Sequence, residues 1–190
     1  MIIVKKIIVK FENIKMIKKT KFKDLEVHIN KPYKDKRGYL KELFKKNKLK
    51  KKFVLSILSY SKKKVLRGLH IQTKNPQGKY ISVLKGKIFD VAVDLRKNSN
   101  TFGKYFSCIL SERNFKSLYI PAGFAHGFMT LDKENYVLYS CTKYRNLKSE
   151  KSIKFNDRDL KIKWPFKNPI ISKRDMVAME FAEYKNKNFK

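Results

Sequence analysis

The chain has 190 residues, of which 47 are Lys or Arg and 16 are Asp or Glu, for a formal net charge of +31, and 42% of its residues are hydrophobic. This length and apolar content suit one domain with a proper core, and seven Gly and five Pro exclude a low-complexity chain. Only seven of the basic residues are Arg, and Lys is spread along the whole sequence, so the charge reads as a solvated surface able to gather an anionic small substrate, not as a nucleic-acid site.

The first eleven residues have an apolar rhythm interrupted by Lys5, Lys6 and Lys10. They lack a long apolar stretch and a small-residue cleavage site, so neither a signal peptide nor a membrane span is expected, and cytoplasm follows by default. Residues 1–15 read as an extension ahead of a single domain over 16–190, with Met16 an alternative start. Lys45 to Lys52 is mostly lysine and predicts an exposed turn or short helix. From Phe53 the pattern changes to short β-branched or aromatic runs: Val54–Leu58, Val65–Ile71, Lys79–Leu84, Lys87–Leu95, Tyr105–Leu110, Ser117–Ile120 and Tyr136–Thr142. Asn, Gly, Pro or Lys separate them, which predicts an antiparallel sandwich or barrel. Gly86 marks a tight hairpin. Between Ile88 and Asp94, Phe89, Val91 and Val93 share one face and Asp90, Ala92 and Asp94 the other; Tyr139 shares its face with Val137 and Cys141. Cys108 and Cys141 lie in strand-like sequence without metal-ligand spacing and read as buried free thiols. The chain turns irregular beyond Ile153, and Arg174 to Tyr184 predicts a terminal helix.

Two of the three histidines sit beside glycine in apolar, strand-like sequence: Arg67-Gly68-Leu69-His70 and Pro121-Ala122-Gly123-Phe124-Ala125-His126-Gly127. A histidine titrates near neutral pH and moves protons without a cofactor. Taken alone, each is as readily a hydrogen-bonded core histidine, and Tyr139 a core tyrosine. Gln77-Gly78-Lys79, the segment Gly86–Asp94, Thr101-Phe102-Gly103 and Leu138-Tyr139 follow in order. Together these motifs resemble the dTDP-4-dehydrorhamnose 3,5-epimerases, from about Lys21 to Asp175. The resemblance implies an all-β, antiparallel jelly-roll (cupin-like) barrel with short helical segments near the C-terminus.

It also implies a reaction: removal of the C3 and C5 protons flanking the ketone of a nucleotide-linked 4-keto-6-deoxy sugar, and their return on the opposite face. His70 matches the base, Asp175 the carboxylate that orients it, and Tyr139 the proton donor. Lys79 and Arg67 match cations near the ketone oxygen. Arg37, Glu42, His126, Glu150 and Arg174 match residues that contact the nucleotide sugar, with Arg37 and Glu42 expected to reach the site of a partner subunit in a homodimer. Arg67 and His70 would point to opposite faces of a regular strand, and a bulge at Gly68 would bring them together. As an N-cap of the terminal helix, Asp175 has a structural reading as well.

Three departures stand out. Leu55-Ser56-Ile57 replaces the family's Gln-Asp-Asn, Arg145 occupies the place of the aromatic ring that stacks on thymine, and Arg174 replaces a lysine. A guanidinium also stacks on a base. His70 has Gln72 where metal-binding cupins place a second histidine, so no metal and no cofactor are expected. The expected function is epimerisation at C3 and C5. The alternatives are a C3-only or C5-only epimerase, a 3,4-ketoisomerase, or a non-catalytic sugar-nucleotide binding module; neither a nucleic acid nor a membrane is an expected partner.

Overall fold

The computed structural model describes residues 16–45, 49–187 and 189. The β-branched runs form strands because their alternate side chains find two apolar surfaces to cover. In chain order the strands are β1 (Met16–Lys19), β2 (Glu26–Ile29), β3 (Tyr33–Asp35), β4 (Gly38–Leu40), β5 (Leu55–Lys62), β6 (Leu66–Gln72), β7 (Lys79–Lys85), β8 (Lys87–Asp94), β9 (Tyr105–Ser111), β10 (Lys116–Ile120), β11 (Phe124–Thr130), β12 (Glu134–Cys141) and β13 (Glu150–Ser152). A six-stranded sheet runs β1-β2-β10-β7-β12-β5, and a five-stranded sheet runs β13-β6-β11-β8-β9, while β3 and β4 form a separate hairpin. All strand pairs are antiparallel. The fold is the expected jelly roll.

Ile81, Val83, Leu118 and Val137 of the larger sheet pack on Ile88, Ala92, Leu110 and Phe128 of the smaller one. Each such fully buried side chain contributes roughly 1.5–3 kcal/mol. The alternation in β8 is as read. Ile88 and Ala92 face this inner core, whereas Val91 and Val93 join Leu69 and Ile71 under the C-terminal segment, against Leu160, Phe181 and Tyr184.

The C-terminal helix differs from expectation. It is split into α1 (Lys173–Met176) and α2 (Phe181–Asn186). The residues between are drawn into extended conformation by a bridge to Ile153. The Met179 N–H donates to the Ser152 carbonyl, and the Lys154 N–H donates to the Met179 carbonyl. Strands β1 to β4 and β13 were not separable by pattern, because lysines interrupt their apolar positions. Of the lysine-rich segment, residues 46–48 lie outside the described residues; Lys50 to Lys52 are exposed and Leu49 is buried. The expected extension over residues 1–15 also lies outside the described residues.

Candidate active site

A cavity of about 650 Å³ opens between the sheets. Its position follows from a bulge. His126 of β11 pairs with His70 of β6, but Phe128 pairs with Arg67, so β6 carries one extra residue over this span. Gly68 absorbs it at φ +126°, and a Cβ there would sit 2.5 Å from the Gly127 Cα. No residue but glycine accepts that conformation at that distance. The bulge turns both Arg67 and His70 to the cavity, as the sequence required.

His70 Nε2 lies 2.6 Å from Asp175 Oδ1. Burial pushes the Asp175 carboxyl up, but the contact with His70, the Ser172 hydroxyl and the Gly68 N–H together hold it below the usual carboxylate range. Asp175 is therefore an anion, Nε2–H donates to it, and Nδ1 keeps the lone pair that a base needs. Ser172, not Asp175, caps α1: its hydroxyl oxygen accepts from the Asp175 N–H at 3.2 Å.

Tyr139 enters from β12 of the other sheet, so it and His70 lie on opposing walls. Burial pushes its phenol far up, which keeps it protonated at neutral pH. Lys79, on β7 opposite Cys141 in register, also lines the cavity. Burial pushes its amine down toward the neutral form. Arg67 is held by the Ser61 hydroxyl at 3.0 Å and the Tyr60 carbonyl at 3.1 Å.

The mouth is cationic. Glu150 accepts from Arg145 (Nη2 at 2.9 Å) and pairs with Arg174 (Nη1 at 3.0 Å), so one carboxylate orders two guanidinium groups. The buried Gln72 braces the adjoining loop, accepting from the Asn146 N–H and donating to the Asn75 and Tyr144 carbonyls. Opposite the arginines the wall is apolar, with Ile57, Val65, Ile170 and Ile171.

Three expected site residues lie elsewhere. His126 is 4% exposed and sits behind the cavity wall, its ring 6.1 Å from that of Tyr139. Arg37 and Glu42 belong to the β3–β4 arm and do not line this chain's cavity; Arg37 is paired with Asp35 and 84% exposed. Sequence reasoning missed Asp90, which binds His126 Nε2 at 2.9 Å, although it lies on the inward face read for β8. It also missed the apolar wall, which draws Ile170 and Ile171 from irregular sequence. Among the described residues no group of three or more His, Cys, Asp or Glu converges to hold a metal. Cys108 and Cys141 are free thiols.

A family model described as dTDP-4-dehydrorhamnose 3,5-epimerase matches residues 19–183. The protein of that name from Methanothermobacter thermautotrophicus is 44% identical over 151 residues, which is 75% of this chain and 82% of the relative. Its namesake from Shigella flexneri is 38% identical over 87% of this chain and 95% of its own. Among solved structures, a dTDP-6-deoxy-D-glucose-3,5-epimerase from Legionella pneumophila in complex with dTDP-4-keto-L-rhamnose superposes with a TM-score of 0.84, at 40% identity, covering 88% of this chain and 93% of that one.

Proposed function

This chain belongs to the dTDP-4-dehydrorhamnose 3,5-epimerase family, and we propose that it inverts C3 and C5 of dTDP-4-dehydro-6-deoxy-D-glucose to give dTDP-4-dehydro-L-rhamnose. The observation that carries this reading is the placement of His70 and Tyr139 on opposing walls of one cavity. Inversion requires a proton to leave one face of a carbon and another to arrive on the opposite face. His70 Nδ1 takes the proton, the C–H pair becomes the enolate double bond, and the charge moves to the C4 oxygen. Lys79 and Arg67 line the cavity where that oxygen needs a cation, an interaction that strengthens as the enolate forms. The Tyr139 hydroxyl then donates to the opposite face. Repetition at the second carbon completes the reaction. Acid and base of this kind each contribute typically 10²–10⁴-fold.

Arg145, Arg174 and Glu150 at the mouth suit the diphosphate, and the Arg145 guanidinium plane suits the nucleobase. Ile57 and its neighbours suit the deoxygenated edge of the sugar. The enzyme works as a homodimer in this reading. Leu58 and Tyr60, 56% and 45% exposed, leave the edge strand β5 apolar and uncovered, and the exposed Arg37 arm is free to reach a partner's cavity. No helix among the described residues is long and apolar enough to cross a membrane, which accords with a cytoplasmic enzyme. NMR of the product tests the reaction: inversion at C3 and C5 is expected, whereas inversion at one carbon or a 3-keto product would assign the chain to another branch of the same chemistry.

A further inference from the structure

The enolate needs Lys79 as an ammonium, yet burial disfavours that form. Among the described residues Lys79 has no hydrogen-bond or ion-pair partner. The groups that face it are Cys141 of β12, Glu150 of β13, Arg145 of the adjoining loop and Asp90 of β8, with Tyr139 two residues from Cys141. Cys141 and Tyr139 are kept neutral because burial pushes both up. The charge of Glu150 is already matched by two arginines, and Arg145 is itself a cation. Asp90 is the remaining anion.

Asp90 has a complementary need. It is 0% exposed, its Oδ2 accepts from His126 Nε2 at 2.9 Å, and its Oδ1 has no hydrogen-bond partner. Burial pushes its carboxyl up, while His126 and Lys79 oppose that. Cys108, its register partner on β9, is a neutral thiol. A fully buried carboxylate persists only beside a cation, and the state with one negative and one positive charge needs Asp90 ionised, Lys79 protonated and His126 neutral.

Building on the epimerase reading, we infer that Asp90 is a positioning residue of this site: it supplies the counter-charge that keeps Lys79 protonated and it fixes the ring of His126, so that the cation for the enolate is in place before substrate arrives. Asp90 does not touch the substrate; it acts through Lys79.

The test is the pH profile of kcat/KM for the wild type and Asp90→Asn, with the 4-keto nucleotide sugar as substrate. The high-pH limb of the variant should move down by about one pH unit or more, with activity partly regained on acidification. A uniform fall without movement of the limb, or an unchanged profile, would overturn the inference. An inactive wild type would instead count against the epimerase reading. A second measurement needs neither substrate nor a folded Asp90→Asn. In Lys79→Met, the ¹³Cγ NMR signal of Asp90 should report a protonated carboxyl at pH 7, where the wild type reports a carboxylate. The same ionisation state in both proteins would overturn the inference.

Discussion

Replacing Asp175 with Asn keeps the size of the side chain and removes its charge. In the wild type, the 2.6 Å contact between Asp175 Oδ1 and His70 Nε2 does two things. It selects the tautomer whose Nδ1 accepts a proton, and it stabilises the imidazolium formed when that proton arrives. An adjacent pair of unit charges attracts by about 4 kcal/mol at an effective dielectric near 20. At about 1.4 kcal/mol per decade in rate, losing that attraction costs roughly 10²–10³-fold in kcat. The amide also offers an N–H₂ to the ring and so favours the wrong tautomer, for which losses of about 10⁴ are precedented in His–Asp pairs. The Asn oxygen still accepts from the Gly68 N–H, and Ser172 still caps α1, so the fold should hold. Steady-state kinetics with circular dichroism as a control is the assay. A fall of 10² or more in kcat with KM little changed is expected. A folded Asp175→Asn enzyme within tenfold of the wild-type kcat would refute the role given to the pair.

Other consequences follow from the same geometry. Tyr139→Phe should still exchange substrate protons with D₂O, because His70 remains, but should release little inverted product; equal losses of both by NMR would remove Tyr139 from the donor role. Gly68→Ala would drive a Cβ onto Gly127 and the His126 carbonyl, so urea denaturation should show a loss of at least about 2 kcal/mol, and a neutral variant would contradict the bulge. Asp94 accepts from Arg96, Ser99 and Thr101, and these bonds overcome the effect of burial and hold its carboxyl at about 2 against an ordinary 3.8. A depressed folded value stabilises above the unfolded one, so at most about 2 kcal/mol is present above pH ~4 and fades as pH falls toward 2. Urea unfolding from pH 6 to 2 should therefore be steeper for the wild type than for Asp94→Asn, and parallel curves would refute this assignment.

The strands from β5 onward were legible because each carries β-branched or aromatic residues on at least one buried face. The inward face of β8 and the company kept by Tyr139 followed from alternation alone. The bulge at Gly68 was legible only as a requirement: period-two alternation separates Arg67 from His70, and only the pairing with β11 fixes where the extra residue goes. The broken terminal helix escaped for a similar reason. Local propensity favours one helix over 174–184, but two backbone hydrogen bonds around Met179 override it. His126 looked like a second site histidine by its motif, yet its side chain is spent on Asp90. Asp90 itself needed the fold, since an aspartate on an alternating strand has no partner that the sequence names. The roles of Asp175 and Tyr139 came from family resemblance, because 105 residues separate His70 from its carboxylate.

The most direct measurement is deuterium incorporation. The wild-type enzyme is incubated in D₂O with dTDP-4-dehydro-6-deoxy-D-glucose, and C3 and C5 are followed by NMR. Base-and-acid chemistry through His70 and Tyr139 predicts solvent deuterium at both carbons of the inverted product, and none at either carbon with His70→Ala. Inversion with the original protons retained, or a folded wild-type protein that exchanges neither carbon, would contradict it.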